Sequence, residues 1–441
     1  MPARSAAAAH GTSHRDPGRD VLVVGGGPAG AACAYWLADA GWDVLVLERK
    51  RYPREKTCGD GLTPRAVRQL TDVGVGEELA GHHRFDGLRS VAFGRTLELR
   101  WPDHPEFPPY GYVVPRSELD RMVAERAVKA GATLWQEAEA VEPVREAGLA
   151  RGALVRVKHR GSEDPGNSEG SRSELREVRA RYVVVADGAN SRFGRALGTG
   201  RDRGHPQGMA IRGYFVSPRH AEALIESHLD VRDRDGNVLP GYGWIFPVGD
   251  GRVNVGVGLL STFHQWKAVN TSQLMEAFVA QAPASWEISP ETSCGPPTGG
   301  RLPMSFSVGP TTGPTHLVVG DAAGAINPFN GEGIAYAYET GRLAAAAVAE
   351  ALAADDGMAL QQYDARLRAT YGLYFKVARA FVRLIGRPEL MRVLVSTGMH
   401  SRTLMEWVLR IMANLLRPDE IGPAEAAYRA VAALARLAPD G

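Results

Sequence analysis

The sequence predicts an α/β chain, α+β in its second part, whose N-terminal unit is Rossmann-like, and three observations carry that prediction. Asp20-Val21-Leu22-Val23-Val24 reads as a buried strand running into Gly25-Gly26-Gly27-Pro28-Ala29-Gly30. The apolar helical stretch Ala31 to Ala40 then leads to a second strand, Val44 to Leu47, which closes on the acid Glu48. Far along the chain, Leu317-Val318-Val319 ends in Gly320-Asp321-Ala322-Ala323-Gly324 and continues through Asn327-Pro328-Phe329-Asn330-Gly331-Glu332-Gly333-Ile334 into a helical run to Ala353.

Each part of the first motif has a physical task. Gly25 permits a tight turn, Gly27 lets the backbone approach a pyrophosphate, and Gly30 lets helix and strand pack closely, while free N–H groups at the helix start face the phosphates. Glu48 stands about 20 residues further on, where a carboxylate accepts hydrogen bonds from a ribose. A dinucleotide is therefore the expected ligand, and the late motif decides which one. A nicotinamide dehydrogenase has no use for that motif. A flavin does, because its ribityl chain and ring lie far from the adenosine end and need their own polar and backbone contacts. Asp321 suits ribityl hydroxyls, and Gly331 and Gly333 open a helix whose N-terminus suits the flavin edge on which negative charge grows during reduction. FAD is the predicted cofactor.

Two further segments fit the same ligand. Val113-Val114-Pro115-Arg116-Ser117-Glu118-Leu119-Asp120 reads as a strand end and a helix capped by Ser117, with Asp120 three residues on. Arg116 offers a charge for the pyrophosphate. The strand Tyr182 to Val185 leads to Asp187-Gly188-Ala189-Asn190-Ser191, where Gly188 lets the backbone pass close to a cofactor. The polar stretch Lys158 to Glu177 reads as an exposed hairpin or loop. Arg252-Val253-Asn254-Val255-Gly256-Val257-Gly258 alternates as a sheet strand does.

Composition bounds the rest. With 441 residues, 44% of them apolar, the chain can bury a substantial core and form more than one unit. A net charge of +1 gives no global pull on nucleic acid. The cysteines Cys33, Cys58 and Cys294 have neither zinc-ligand spacing nor the even count of a secreted disulfide framework, so no metal and a reducing cytoplasm are expected. Residues 1–19 read as a disordered tail without a signal-peptide core. No apolar run reaches the roughly 18 residues of a spanning helix.

From Asp20 to about Ala353 the chain resembles the flavoprotein group of para-hydroxybenzoate hydroxylase, with GxGxxG, DG and GD motifs in order. Within that group it resembles the geranylgeranyl reductase family, on Pro53-Arg54-Glu55-Lys56-Thr57-Cys58-Gly59-Asp60-Gly61-Leu62-Thr63-Pro64-Arg65-Ala66, on Tyr242-Gly243-Trp244-Ile245-Phe246-Pro247, and on Gly320 to Ile334. The likeness extends to its bacterial menaquinone reductases, which saturate one double bond of a quinone's isoprenoid tail; other members act on geranylgeranyl diphosphate or geranylgeranylated lipids. The resemblance implies a discontinuous FAD domain (20–80, 112–200 and 301–353), a sheet-rich substrate domain (81–111 and 201–300) and a helical C-terminal segment (354–441). It also implies a polyprenyl substrate and cofactor contacts at Arg49, Gly59, Pro328 and Ile334.

An isolated trisubstituted alkene has no carbonyl to polarise it. Hydride from reduced flavin N5 therefore needs nearly concerted proton delivery, and the site needs an apolar tunnel, an acid and electron-rich walls. Tyr242, Trp244 and Phe246 alternate along one strand and share a face. They read either as a tunnel wall whose π faces steady positive charge, or as the inner face of a half-buried strand. The resemblance favours the wall, with Tyr242 and Trp244 catalytic. Cys58 reads as a small core residue, as a proton donor or substrate-positioning group, or as a covalent flavin link, which nothing supports. A thiol of pKa about 8.5 is mostly protonated at neutral pH, and the resemblance favours the second role.

Towards the C-terminus, Val377, Phe381, Leu384 and Ile385 share one helical face, with Lys376, Arg379, Arg383 and Arg387 on another. Leu404, Trp407, Val408, Ile411, Met412 and Leu415 repeat the spacing beside Arg402, Arg410 and Arg417. The pattern suits helices lying on an anionic membrane face, or helices packed on the FAD domain with a solvated basic rim. A lipid substrate favours peripheral attachment to the cytoplasmic face. Rival activities with the same motifs are a flavin monooxygenase and a flavin halogenase, the latter needing a lysine for which only Lys56 is near. With no second nucleotide fingerprint, the electron donor stays open between NAD(P)H and a ferredoxin-like carrier.

Overall fold

The computed structural model describes residues 18–159, 172–417, 419–420 and 422–437. The expected N-terminal tail therefore lies almost wholly outside the described residues, and its last residue, Arg19, already begins the first strand.

That strand, Arg19–Val24, has apolar side chains on both sides: Val21 and Val23 enter one core, Leu22 and Val24 another. Burial on both faces is why it reads as a continuous apolar run rather than an alternating one. It pairs in parallel with Val44–Glu48, which pairs in parallel with Thr133–Gln136. On its other side lies the long strand Arg172–Val185, followed by His316–Val318, both again parallel. The helices Pro28–Asp39, Arg116–Lys129 and Ile334–Ala354 cover one face of this sheet. The first half of Arg172–Val185 pairs antiparallel with Leu149–His159, which pairs with Ala138–Glu146. Lys158 and residues 172–177 are thus paired as the arms of a hairpin, the first of the two expected forms; the middle of that polar stretch lies outside the described residues.

The second sheet has seven strands in the order Thr298–Pro303, Gln207–Val216, Arg252–Leu260, Gly241–Pro247, Ile225–His228, Gly87–Ala92 and Arg95–Arg100. Val253, Val255 and Val257 face a core closed by the helix Thr271–Gln281. Because Thr298–Pro303 pairs with Gln207–Val216 as far as Pro303, it runs through position 301, where the last piece of the FAD domain is expected to start. A second difference concerns Ser117. The helix begins at Arg116 with Pro115, not Ser117, at its cap, and no side chain makes a capping bond.

The C-terminal helices Leu373–Ile385, Pro388–Gly398, Arg402–Met412 and Pro423–Leu437 are joined to the helix Ile334–Ala354 and the turn before it by a buried polar network. Arg65 donates to Glu339 at 2.7 Å, and the Tyr371 hydroxyl donates to the other oxygen of Glu339 at 2.7 Å. Asn327 donates to the Tyr374 hydroxyl at 3.1 Å and to the Met412 carbonyl at 3.0 Å. The basic face expected to meet a membrane is partly spent inside the molecule: Arg379 donates to Ser305 and Arg383 to the Gly204 carbonyl. In Arg402–Met412 the core-facing residues are Met405 and Leu409, while Leu404 is exposed and Leu415 lies buried beyond the helix end. Removing one partner of a buried ion pair strands the other charge, at about 3–5 kcal/mol. Glu339→Ala is expected to lose stability on that scale in chemical denaturation, and protease should then release the C-terminal helices first; an unchanged midpoint would contradict the role given to the pair.

Candidate active site

Two glycines form a cradle at the start of the Pro28–Asp39 helix. Gly25 has φ +106°, and a Cβ there would stand 2.3 Å from the Ala186 carbonyl oxygen; a Cβ on Gly30 would stand 1.9 Å from the carbonyl oxygen of Gly25. Only glycine fits either place. The first contact presses the turn against Ala186-Asp187-Gly188, and a Cβ on Gly320 would stand 2.8 Å from that of Ala29. Three motifs remote in sequence thus meet at one helix start. Above Gly27 the space is open, the nearest atom to a Cβ being an Arg54 nitrogen at 3.8 Å.

Acids ring this cradle. Glu48, buried, accepts from the Gly26 N–H at 3.2 Å, the Lys50 N–H at 2.9 Å and Arg54 at 3.1 Å. Asp187 accepts from the Phe193 N–H at 3.0 Å, while its other oxygen is buried with no partner among the described residues. Burial raises its pKa. Asp321 is half-buried, with Lys56 Nζ at 4.0 Å. An open backbone cradle with an orphaned carboxylate oxygen beside it fits the phosphates and hydroxyls of FAD.

The structure redistributes the arginines. Arg49 is exposed, and the inner place beside Glu48 belongs to Arg54, which also pairs with Asp120 at 2.9 Å. Arg116 makes a bidentate pair with Asp120 at 2.8 and 2.9 Å, and both side chains are buried. Its charge is therefore balanced inside the fold rather than left over for a pyrophosphate, and it acts on the Cys58 thiol.

Cys58 is half-buried, in a loop clamped from the second sheet. Its carbonyl accepts from Arg212 at 3.1 Å and from Asn254 at 2.9 Å, and its sulfur accepts from the Asp60 N–H at 3.3 Å. Burial pushes the thiol pKa up; the Arg116 guanidinium opposes this and the Asp60 carboxylate adds to it. Asp60 is fully buried in a left-handed conformation, φ 64°. One of its oxygens accepts from the Tyr214 hydroxyl and, at 2.7 Å, from Asn254; the other has no partner among the described residues. Burial pushes its pKa up to about 6.

Beneath the loop lie the aromatics. Tyr242, Trp244 and Phe246 form a ladder with ring centroids 5.8 and 6.2 Å apart. Opposite them on the neighbouring strand stand Gly258, Gly256 and Asn254. A Cβ on Gly256 would fall 2.2 Å from the Trp244 ring, so the glycine makes room for the indole. Trp244 is buried under Gly59 and donates to Asn254 at 3.0 Å. Tyr242 donates to the Asn330 carbonyl at 2.6 Å, and a Cβ on Gly331 would stand 3.1 Å from its hydroxyl. The turn through Gly331 and Gly333 leads into the helix that starts at Ile334; Pro328, just before it, is buried, as is Ile334. In that turn Glu332 pairs with the Thr63 hydroxyl, and burial pushes its pKa up to about 7. Asp60, Arg212, Tyr214, Asn254 and Glu332 were not singled out from the sequence.

Comparison with known proteins identifies the family. A family described as FAD binding domain matches residues 19–215. Menaquinone reductase of Mycolicibacterium smegmatis is 39% identical over 91% of this chain and 93% of its own. Digeranylgeranylglycerophospholipid reductase 1 of Methanopyrus kandleri is 33% identical over 84% of this chain and 91% of its own. Among solved structures, a geranylgeranyl bacteriochlorophyll reductase-like protein from Thermoplasma acidophilum shares the fold, with a TM-score of 0.74 at 23% identity over 94% of this chain and 99% of that one. A glycine cradle that fits FAD, a clamped cysteine loop and an aromatic strand meet in a chain that is a FAD-dependent oxidoreductase and belongs to the geranylgeranyl reductase family.

Proposed function

We propose that this chain saturates a C=C bond in the isoprenoid tail of menaquinone, with FAD supplying the hydride when bound and reduced. One observation supports it above others: the Cys58 loop, the Tyr242–Phe246 ladder and the Gly331–Gly333 turn meet beside the cofactor cradle, in a family of polyprenyl reductases. Cys58 holds the proton that the alkene needs. Arg212 and Asn254 fix the backbone of the Cys58 loop, while burial, Arg116 and buried Asp60 act together on the thiol. The ladder offers π faces to positive charge growing on the tail, with Tyr242 the member nearest the turn. Trp244, held from below by Asn254, supports the loop through Gly59. Anaerobic incubation of the dithionite-reduced holoenzyme with menaquinone, geranylgeranyl diphosphate and a geranylgeranylated phospholipid tests the substrate. A gain of two hydrogens per bond, fastest on menaquinone, is expected; preference for another of the three reassigns the substrate, and an oxygenated or halogenated product sinks the reading.

Among the described residues no helix is long and apolar enough to cross a membrane. Leu384, Val393, Leu394 and Leu404 are nonetheless exposed on consecutive C-terminal helices, next in sequence to Arg383, Arg387, Arg392 and Arg402 or within a few residues of them. This face is proposed to rest on an anionic bilayer that holds the lipid substrate. Replacing Val393 and Leu394 by Asp is expected to cut sedimentation with phosphatidylglycerol vesicles at least about tenfold, each buried apolar side chain contributing roughly 1.5–3 kcal/mol. Equal sedimentation of variant and parent would exclude that face.

A further inference from the structure

We infer that the cleft between residues 189–201 and the strand pair Gly200–Arg201 and Val308–Gly309 binds a phosphate group. The cleft holds about 150 Å³ and is lined by Arg195, Arg201, Arg301, Asn190, Thr199 and Gln207 among others. Among the described residues none of its three arginines has a carboxylate within ion-pairing distance. The adjacent acid, Asp202, is taken up by the His205 ring at 3.1 Å and the Gly204 N–H at 2.7 Å. Partial burial, then the neighbouring Arg301 and Arg203, lower the pKa of Arg201. Like charges gathered around a hollow are relieved when an anion fills it.

A second observation is independent of the charge. Thr199 lines the same cleft and is only 6% exposed, yet its hydroxyl has no partner among the described residues. Three guanidinium forks with a dry hydroxyl are a donor set suited to the several oxygens of a phosphate, more than to the two of a carboxylate. The cleft shares Ala189 and Ala322 with the turns that follow Asp187-Gly188 and Asp321, so the phosphate sits next to the FAD cradle. A quinone carries no phosphate. The chemistry belongs to a phosphorylated nicotinamide dinucleotide acting as electron donor, or to an allylic diphosphate.

The assignment rests on the reading of this chain as a flavin-dependent polyprenyl reductase. Holoenzyme of the parent, Arg201→Ala and Arg301→Ala would be titrated calorimetrically with NADPH, geranylgeranyl diphosphate and inorganic pyrophosphate, with FAD content and dithionite-driven turnover of menaquinone measured alongside. FAD content and dithionite-driven turnover should match the parent, while each variant binds a phosphorylated ligand about tenfold more weakly, the loss of one charge-assisted hydrogen bond. A loss seen with NADPH marks the donor as the source, and one seen only with the allylic compound marks a diphosphate substrate. Loss of FAD from the variants, or equal binding of all three probes by all three proteins, overturns the site. Absence of dithionite-driven turnover in the parent counts instead against the reductase reading.

Discussion

Cys58→Ala and Cys58→Ser are expected to keep their FAD and lose at least about 100-fold in turnover, the lower end of what a positioned proton donor contributes. FAD should stay because the cradle is built from Gly25, Gly30 and the turns they touch, none of which depends on the thiol. The loop should stay because its clamps from Arg212 and Asn254 end on the Cys58 carbonyl, which every residue has. Serine tests size against acidity: it replaces the sulfur by a smaller atom but is a far weaker acid. Recovery of activity in Cys58→Ser would mean that the position serves packing. Full activity in both variants would remove Cys58 from the mechanism.

Asp60→Asn should lower turnover on the alkaline side and leave it near the parent's below pH 6. The amide keeps an oxygen for the Tyr214 and Asn254 donors, so the shape is preserved and the charge alone is removed. The carboxyl is raised from 3.8 to about 6 chiefly by burial, with Tyr214, Arg212, Asn254 and Arg116 pulling the other way. Below pH 6 the parent is neutral there, as the variant always is. Above it the anion helps hold the Cys58 thiol protonated, against Arg116. Removing the anion moves thiolate formation to lower pH. Iodoacetamide labelling of Cys58 against pH should show the same acidward shift. The stability effect has the opposite sense: with the folded value above the unfolded one, native protein binds this proton more tightly, and stability falls as pH rises from 3.8 to about 6. Asp60→Asn should lack that fall. An unshifted labelling profile would leave Asp60 a structural residue only.

Features whose task is local were legible in the sequence. Gly25, Gly27, Gly30, Glu48, Asp187 and the Gly331–Gly333 turn announce themselves because a turn, a close approach or a strand-end acid constrains residue type within a few positions. The Tyr242–Trp244–Phe246 ladder was legible from alternation. What lay hidden depends on which sheet face meets which loop. The alternation of Arg252 to Gly258 marks a sheet strand but not what each face meets: Asn254 is fully buried, on the face that carries the Cys58 loop and the indole. Polar Asn and small Gly on a strand look alike whether they face water or make room for rings. Arg54 displaced Arg49 for a similar reason: both are basic and close to Glu48 in sequence, and only the path of the loop returns Arg54 to it. The basic face of Leu373–Ile385 went partly inward because its partners, Ser305 and the Gly204 carbonyl, are remote in the chain.

The Cys58 loop and the bound flavin are proposed together to add two hydrogens to a polyprenyl double bond. A single anaerobic turnover of dithionite-reduced holoenzyme with menaquinone, run side by side for the parent and Cys58→Ala at equal FAD content, tests it most directly. The parent should yield a quinone two hydrogens heavier in its tail as the flavin re-oxidises, and the variant should yield almost none. Equal yields from both proteins, or a tail of unchanged mass while the parent's flavin re-oxidises, would contradict it.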